Sequence, residues 1–240
     1  MCGRFTLHHS TEDIAARFLV QQTMLELAPR YNIAPSQEVP AVVQREARFL
    51  EPRRWGLVPS WAKDPAVGSR MINARAESVA DKPAFRQALR QRRCLVPASG
   101  YFEWKREGDR KVPHLIRRAD GGLLGLAALW EEWQDPEAGP LRTVALITTA
   151  PNPFTAAIHT RMPAILDPRD EAAWLDPGQR DREAVLPLLR PFAGELVAYP
   201  VSRRVNRPDL DEPSLLEPAE PSPAEGTPDP GPPPQQLDLF

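Results

Sequence analysis

Apolar and polar positions along this chain switch between a helical period and short runs of strand length. In "STEDIAARF", Ser10 and Asp13 form a capping-box pair, and Ile14 and Phe18 share one helical face, so a helix is predicted there. "KPAFRQALRQ" reads as a short helix with Pro83 near its start. "DPRDEAAWLD" and "DREAVLPLLR" are helical in pattern, the second interrupted by Pro187. Between them lie strand candidates: "RYNIAPSQEVPAVVQ", "RFLEPRRWGLV", and then "RCLVPASGYFEWK" turning at "REGDRK" into "VPHLIRR" as an antiparallel hairpin. "LLGLAALWEEW" and "LRTVALITTA" are apolar enough for central strands. The short gaps between strands favour an antiparallel-rich α+β fold over regular βαβ winding.

The pattern stops near residue 210. Residues 211–240 hold nine of the 29 prolines and seven acidic residues, with no Lys or Arg. The expectation is a folded domain over 1–210 and a disordered, acidic, Pro-rich tail over 211–240. Although the net charge is −2, the body is then mildly basic, which permits an anionic partner without requiring one. Two cysteines, with no C-x-x-C, make no disulfide framework. No apolar stretch has the length of a signal peptide or a membrane span, so the expectation is a cytoplasmic protein with no membrane partner. No G-x-G-x-x-G or P-loop pattern appears, so no nucleotide cofactor is indicated.

The chain opens "MCGRF". Aminopeptidase removal of Met1 is favoured by a small second residue, and it leaves Cys2 with a free α-amine (reference pKa about 7.7–8.0) beside its thiol (about 8.5). An amine attacks an aldehyde to give an imine, and the neighbouring sulfur closes on the imine carbon as a five-membered thiazolidine. The partner such a pair suits is an aldehyde. Arg4 shares a face with Cys2 if the segment is extended, where it lowers the thiol pKa or holds a phosphate. His8 and His9 have no further ligand at metal spacing to join Cys2, so no metal is expected.

Four later segments concentrate reactive groups: "MINARAES" with Asn73 and Arg75, "GYFEWK" with Glu103, "IHTRMPAIL" with His159 and Arg161, and "VSRRVNRP" with Arg203, Arg204 and Asn206. Each alone also fits a structural or solvated role. With "MCGRF", "RYNIAPSQ", "WGLVPSWAK", "INARAES", "RCLVPASGYFEWK", "ALITTAPN", "IHTRMPAIL" and "VSRRVN" in order, the chain resembles the SRAP family, the SOS-response-associated peptidases that process abasic sites. The resemblance covers nearly all of 2–208. It implies a twisted, bifurcated, partly barrel-like sheet surrounded by short helices. It also implies a partner, single-stranded DNA carrying an abasic site, whose aldehyde is captured by Cys2.

On that resemblance Glu103 relays protons, its carboxylate desolvated between Phe102 and Trp104, and His159 acts as acid at the sugar ring oxygen. Asn73 orients the lesion or the Cys2 amine. Arg4, Arg75 and Arg161 are phosphate candidates, and Trp61 is a stacking face for a base. Cys94 reads as a buried structural thiol. The last residues, "QLDLF", are similar to the bacterial sliding-clamp-binding motif, with Gln236 as polar contact and Leu237, Leu239 and Phe240 filling apolar pockets. Two other readings stand beside aldehyde capture. One is a cysteine autopeptidase or hydrolase in which Cys2 attacks an acyl carbon with Glu103 or His159 as base. The other is a noncovalent single-strand-binding module.

Overall fold

The computed structural model describes residues 2–23, 25–135 and 137–219. In chain order the strands are β1 (Phe5–Leu7), β2 (Gln22–Thr23), β3 (Arg30–Ile33), β4 (Glu38–Gln44), β5 (Arg48–Trp55), β6 (Asn73–Arg75), β7 (Arg93–Ala98), β8 (Gly100–Glu107), β9 (Arg110–Arg118), β10 (Leu124–Asp135), β11 (Gly139–Thr149), β12 (Met162–Pro163) and β13 (Leu196–Pro200). The helices are α1 (Thr11–Phe18), α2 (Arg86–Gln91), α3 (Pro168–Leu175) and α4 (Arg182–Val185). None of the described helices is long and apolar enough to cross a membrane.

β5, β4, β7, β10 and β11 pair in that order, and β11 returns to β5 through the parallel register Thr143↔Arg54 and Val144↔Trp55. The ring so closed explains the unbroken apolar runs. All six residues of β7 are buried, as are Leu124 to Leu129 of β10 and Thr143 to Thr149 of β11, because each strand has packed neighbours on both faces. A second sheet, in the order β13-β9-β8-β1-β3, leaves the ring where the chain passes from β7 through Ser99 into β8. At that corner a Cβ on Gly100 would stand 2.9 Å from the Ile116 carbonyl oxygen, so only glycine lets β8 and β9 close. The expected hairpin is present, with Glu103 opposite His114 and Glu107 opposite Arg110.

The helices follow local signals. Ser10 and Asp13 complete the capping box of α1, whose Ile14 and Phe18 are buried. Arg17 holds α1 to α3 by a two-pronged pair with the buried Glu171, at 2.9 and 2.7 Å. Pro83 lies outside α2, in the turn that leads into it. After α4 the backbone tightens into a 3-10 turn, Leu186–Leu188, at Pro187.

Composition placed the domain boundary at 210, yet residues 211–219 pack on the body. Asp211 accepts from the Arg30 side chain and from the Tyr31 and Asn32 amides, Leu215 is fully buried, and Ala219 donates to the Pro200 carbonyl at 2.9 Å. The acidic and proline-rich composition hid two anchors, one carboxylate and one leucine. Gln236, Leu237, Leu239 and Phe240 lie outside the described residues.

Candidate functional site

The segment preceding β1 brings Cys2 into the interior, where it is wholly buried. The Asn73 side-chain amide donates to the Cys2 carbonyl at 2.8 Å. Asn73 is presented by β6, a three-residue strand laid parallel to β11 with Asn73 opposite Leu146 and Arg75 opposite Thr148. Strand alternation then buries Ala74 and turns Asn73 and Arg75 to the other face, Arg75 exposed. Burial, with the Glu103 charge adding to it, pushes the Cys2 thiol well above its ordinary range. The expectation that Arg4 lowers the thiol pKa therefore fails. The Arg4 guanidinium is spent on the Asn32 side-chain oxygen (2.7 Å) and the Val205 carbonyl (2.6 Å), tying the segment before β1 to the 3-10 turn Arg203–Asn206.

Glu103 sits on β8 and is 2 % exposed. Burial is the largest influence on its carboxyl, whose pKa is raised to about 7. The source of that burial differs from the expected one. Phe102 and Trp104 project from the opposite face of β8, packing with Leu115, Val201 and Val205, and Trp104 donates to Asn206 at 2.8 Å. On Glu103's own face stands Tyr101, two residues back, fully buried in the same core cluster as Cys2.

His159 follows the 3-10 turn Thr155–Ala157, held by its amide to the Thr155 carbonyl at 3.0 Å. Asn152 fixes that turn from within, accepting from the Thr155 amide (2.8 Å) and donating to the Phe192 carbonyl (2.8 Å). The His159 Nδ1 lies 3.8 Å from Glu103 Oε1 and accepts from the Arg161 amide at 3.0 Å. The same Nδ1 lies 3.1 Å from the Arg161 carbonyl oxygen, so the Arg161 backbone fixes the ring whichever nitrogen carries the proton. Burial lowers the His159 pKa below 6.5, so the ring is neutral at pH 7.

The site thus gathers Cys2, Asn73, Glu103 and His159 from four separate stretches of chain. The cations behave less uniformly. Arg161 forms a two-pronged pair with Glu77 (2.6 and 2.9 Å) and also donates to the Thr148 carbonyl (2.7 Å). Arg161 in turn holds the Glu77 carboxyl below the usual range. Trp61 is 65 % exposed, on the loop between β5 and β6. The base of that loop is stapled by Trp55 to the Ile72 carbonyl (2.9 Å) and by Trp133 to the Ala62 carbonyl (2.7 Å). Gly56, at φ +129°, and Gly68 cross so closely that a Cβ on either meets the other's carbonyl oxygen within 2.7 Å. His8 and His9 stand elsewhere: His8 stacks on Tyr31 and His9 contacts the Ser99 hydroxyl at 2.8 Å. Cys94 is fully buried, its thiol pushed up to about 12 by that burial.

Sequence reasoning missed Tyr101, Glu77, Thr148 and Asn152. Glu77 was visible inside "INARAES", four residues after Asn73; Tyr101 lies inside "GYFEWK" and Thr148 and Asn152 inside "ALITTAPN", with nothing to single them out from their neighbours. The Tyr101 hydroxyl is buried with no hydrogen-bond partner among the described residues. A buried hydroxyl left unpaired costs about 1–3 kcal/mol. Tyr101→Phe is therefore expected to leave the fold at least as stable, by up to about 1 kcal/mol, in urea titration. A loss of more than about 1 kcal/mol would show that the hydroxyl stabilises the fold.

Comparison with known proteins agrees with this fold. The family described as SOS response associated peptidase (SRAP) matches residues 1–208. The chain is 43% identical over 213 residues to the abasic site processing protein YoqW of Bacillus subtilis (strain 168), covering 87% of this chain and 95% of that one. It is 34% identical to the abasic site processing protein YedK of Escherichia coli (strain K12), over 73% of this chain and 79% of the other. A crystal structure of a Bacteroides thetaiotaomicron protein superposes with a TM-score of 0.83 at 28% identity, covering 91% of this chain and all of that one. With the family matched across nearly the whole described fold and relatives of this similarity, the chain belongs to the SRAP family.

Proposed function

We propose that this protein processes abasic sites in single-stranded DNA by covalent capture, through the amine and thiol of a Cys2 exposed by removal of Met1. The observation that carries the reading is a buried cysteine, gripped through its carbonyl by Asn73 at 2.8 Å, beside a carboxyl whose pKa is about 7. The relatives' names supply the substrate class.

The open-chain sugar presents an aldehyde carbon. The Cys2 amine adds its lone pair there, the carbonyl π pair moves to oxygen, and the nitrogen loses a proton to Glu103. Glu103 passes that proton to the alkoxide oxygen, giving the carbinolamine. A second transfer through the same carboxyl, from the remaining N–H to the hydroxyl, lets water leave as the nitrogen lone pair forms the imine. A group with a pKa near the working pH does both jobs. The thiol then adds to the imine carbon: the C–S bond forms, the C=N π pair becomes a nitrogen lone pair, and the thiol proton ends on nitrogen. Aldehyde and aminothiol give thiazolidine and one water.

His159, held at Nδ1 by the Arg161 backbone, is suited to donate a hydrogen bond through its ring N–H to the sugar ring oxygen during opening. The Asn73 side-chain oxygen, buried without a partner among the described residues, suits the N–H of the matured amine. Arg75 and Trp61, both exposed, are suited to phosphate and base. For Arg161 to bind phosphate it must share its guanidinium with Glu77, and for Arg4 it must do so with Asn32.

Acyl transfer is less well supported. A thiol that attacks an acyl carbon must ionise first, and burial opposes that here. In aldehyde capture the amine attacks first and the sulfur closes on an already electrophilic imine. The test is intact mass spectrometry before and after adding an abasic oligonucleotide. The expected masses are the chain without Met1, then that chain plus the oligonucleotide minus one water. A chain that keeps Met1 and still traps DNA defeats the reading.

We further propose that the terminal "QLDLF" docks on the replication sliding clamp, tethering the domain near exposed template. Deleting residues 236–240 is expected to abolish clamp pull-down and leave capture of an oligonucleotide in solution unchanged. Equal pull-down by the truncated chain excludes the motif.

A further inference from the structure

A cleft of about 640 Å³ opens beside α2, lined by Ala80, Arg86, Arg90, Arg180, Asp181 and Arg182 among others. Its charge is lopsided. The single acidic side chain, Asp181, is occupied as the N-cap of α4, accepting from the Glu183 amide at 3.0 Å. Arg182 pairs with Glu183 at 3.1 Å and lies 3.8 Å from Asp81. Arg86, Arg90 and Arg180 have no ion-pair partner among the described residues, and all three are exposed. Arg86 and Arg90 stand four apart on α2, where two like charges repel and cost an isolated helix a little stability. Arg86, at the helix start against the dipole, and Arg90, in the last turn where the dipole favours a cation, together add little to the stability of this six-residue helix. They are well arranged for a polyanion.

The cleft also stands close to the reactive site. Ala80, on its rim, follows Arg75 by five residues, and five residues reach at most about 18 Å even when fully extended. The intervening chain is folded back, with Ser78 donating to the Arg75 carbonyl and Asp81 to the Ser78 carbonyl. The same turn carries Glu77, the partner of Arg161. One short segment, 73–81, therefore runs from the residue that grips Cys2 to the edge of the basic cleft.

We propose that this cleft binds the phosphate backbone of the DNA strand that continues beyond the captured lesion. The inference rests on the reading above that the substrate is single-stranded DNA. Guanidinium groups hold phosphate oxygens in paired hydrogen bonds with no demand on base identity, which suits a lesion met in any sequence. Each phosphate neutralised on a single strand contributes about 0.7 to the slope of log affinity against log salt. Three arginines therefore contribute about 2.

The experiment compares the wild-type chain with the triple variant Arg86→Gln, Arg90→Gln, Arg180→Gln, and with the corresponding triple Lys variant. Noncovalent binding is read by fluorescence anisotropy on unmodified single strands of about 5 and about 20 nucleotides, from low to moderate salt. For the 20-mer, the Gln variant is expected to lose about 10- to 100-fold in affinity at low salt and about 2 from the salt slope, and the Lys variant to recover most of both. For the 5-mer all three proteins are expected to bind alike. An unchanged salt slope and affinity of the Gln variant on the 20-mer overturns the proposal, and so does an equal loss on both lengths, which places the arginines at the lesion itself. Because the measurement uses noncovalent binding, it reads the cleft even where no covalent product forms. A wild-type protein that binds neither strand refutes the DNA reading on which the cleft depends.

Discussion

Cys2→Ala is expected to reduce covalent capture of an abasic oligonucleotide by at least about 100-fold, scored as the shifted band in a denaturing gel. Alanine at position 2 still permits removal of Met1 and still offers an α-amine. What it lacks is the sulfur that traps the imine, so the adduct hydrolyses on denaturation unless it is first reduced. Noncovalent affinity is expected to stay within about twofold, because Cys2 is wholly buried and presents no charge to the phosphate backbone. Cys2→Ser separates the two nucleophiles further: borohydride is expected to trap its imine, while no thiazolidine mass appears. A stable, unreduced crosslink in Cys2→Ala excludes the sulfur from the chemistry. Retention of Met1 in that variant is checked by mass first, since a blocked amine gives the same negative gel for another reason.

The residues of the candidate site were legible in the sequence further than its geometry was. Cys2, Asn73, Glu103 and His159 each stood out in a segment dense in reactive groups, but nothing local says that Asn73 meets the Cys2 carbonyl. That contact depends on β6 lying parallel to β11, a pairing between residues more than 70 positions apart. The ring closure of β11 on β5 is hidden for the same reason. α1 was legible because its determinants, Ser10, Asp13, Ile14 and Phe18, fall within nine residues. Charges misled most. Arg4 and Arg161 look like free cations in sequence, yet the fold gives them to Asn32 and Glu77, partners 28 and 84 residues away. Glu103 illustrates a subtler failure. Its high pKa was anticipated from Phe102 and Trp104, but neighbours in a strand face away from each other, and the desolvation comes from burial on the face shared with Tyr101.

Glu103→Gln is expected to produce a protein that is more stable at pH 7.5 and slower in capture. The folded-state pKa of about 7 lies above the 4.5 of an unperturbed glutamate. Between those values the folded chain holds its proton more tightly than the unfolded chain does, so this residue's contribution to stability falls as pH rises from about 4.5 to about 7 and is level beyond. Glutamine keeps the shape and never ionises. The variant should match the wild type near pH 4 and exceed it above pH 7, by up to about 3 kcal/mol in denaturant titrations run across that range. The same substitution removes the only group of the site whose pKa is raised into the neutral range, and proton transfer of this kind contributes about 10²–10⁴-fold. Single-turnover capture should therefore slow by at least about 100-fold, its remaining pH dependence being that of the attacking α-amine, with a reference pKa of about 7.7–8.0. Stability and rate moving in opposite directions is the signature of a carboxylate kept in a costly place for its chemistry. A variant less stable than the wild type at pH 7.5 would mean that the ionised carboxylate is a net structural asset, and an unaltered rate would remove Glu103 from the proton path.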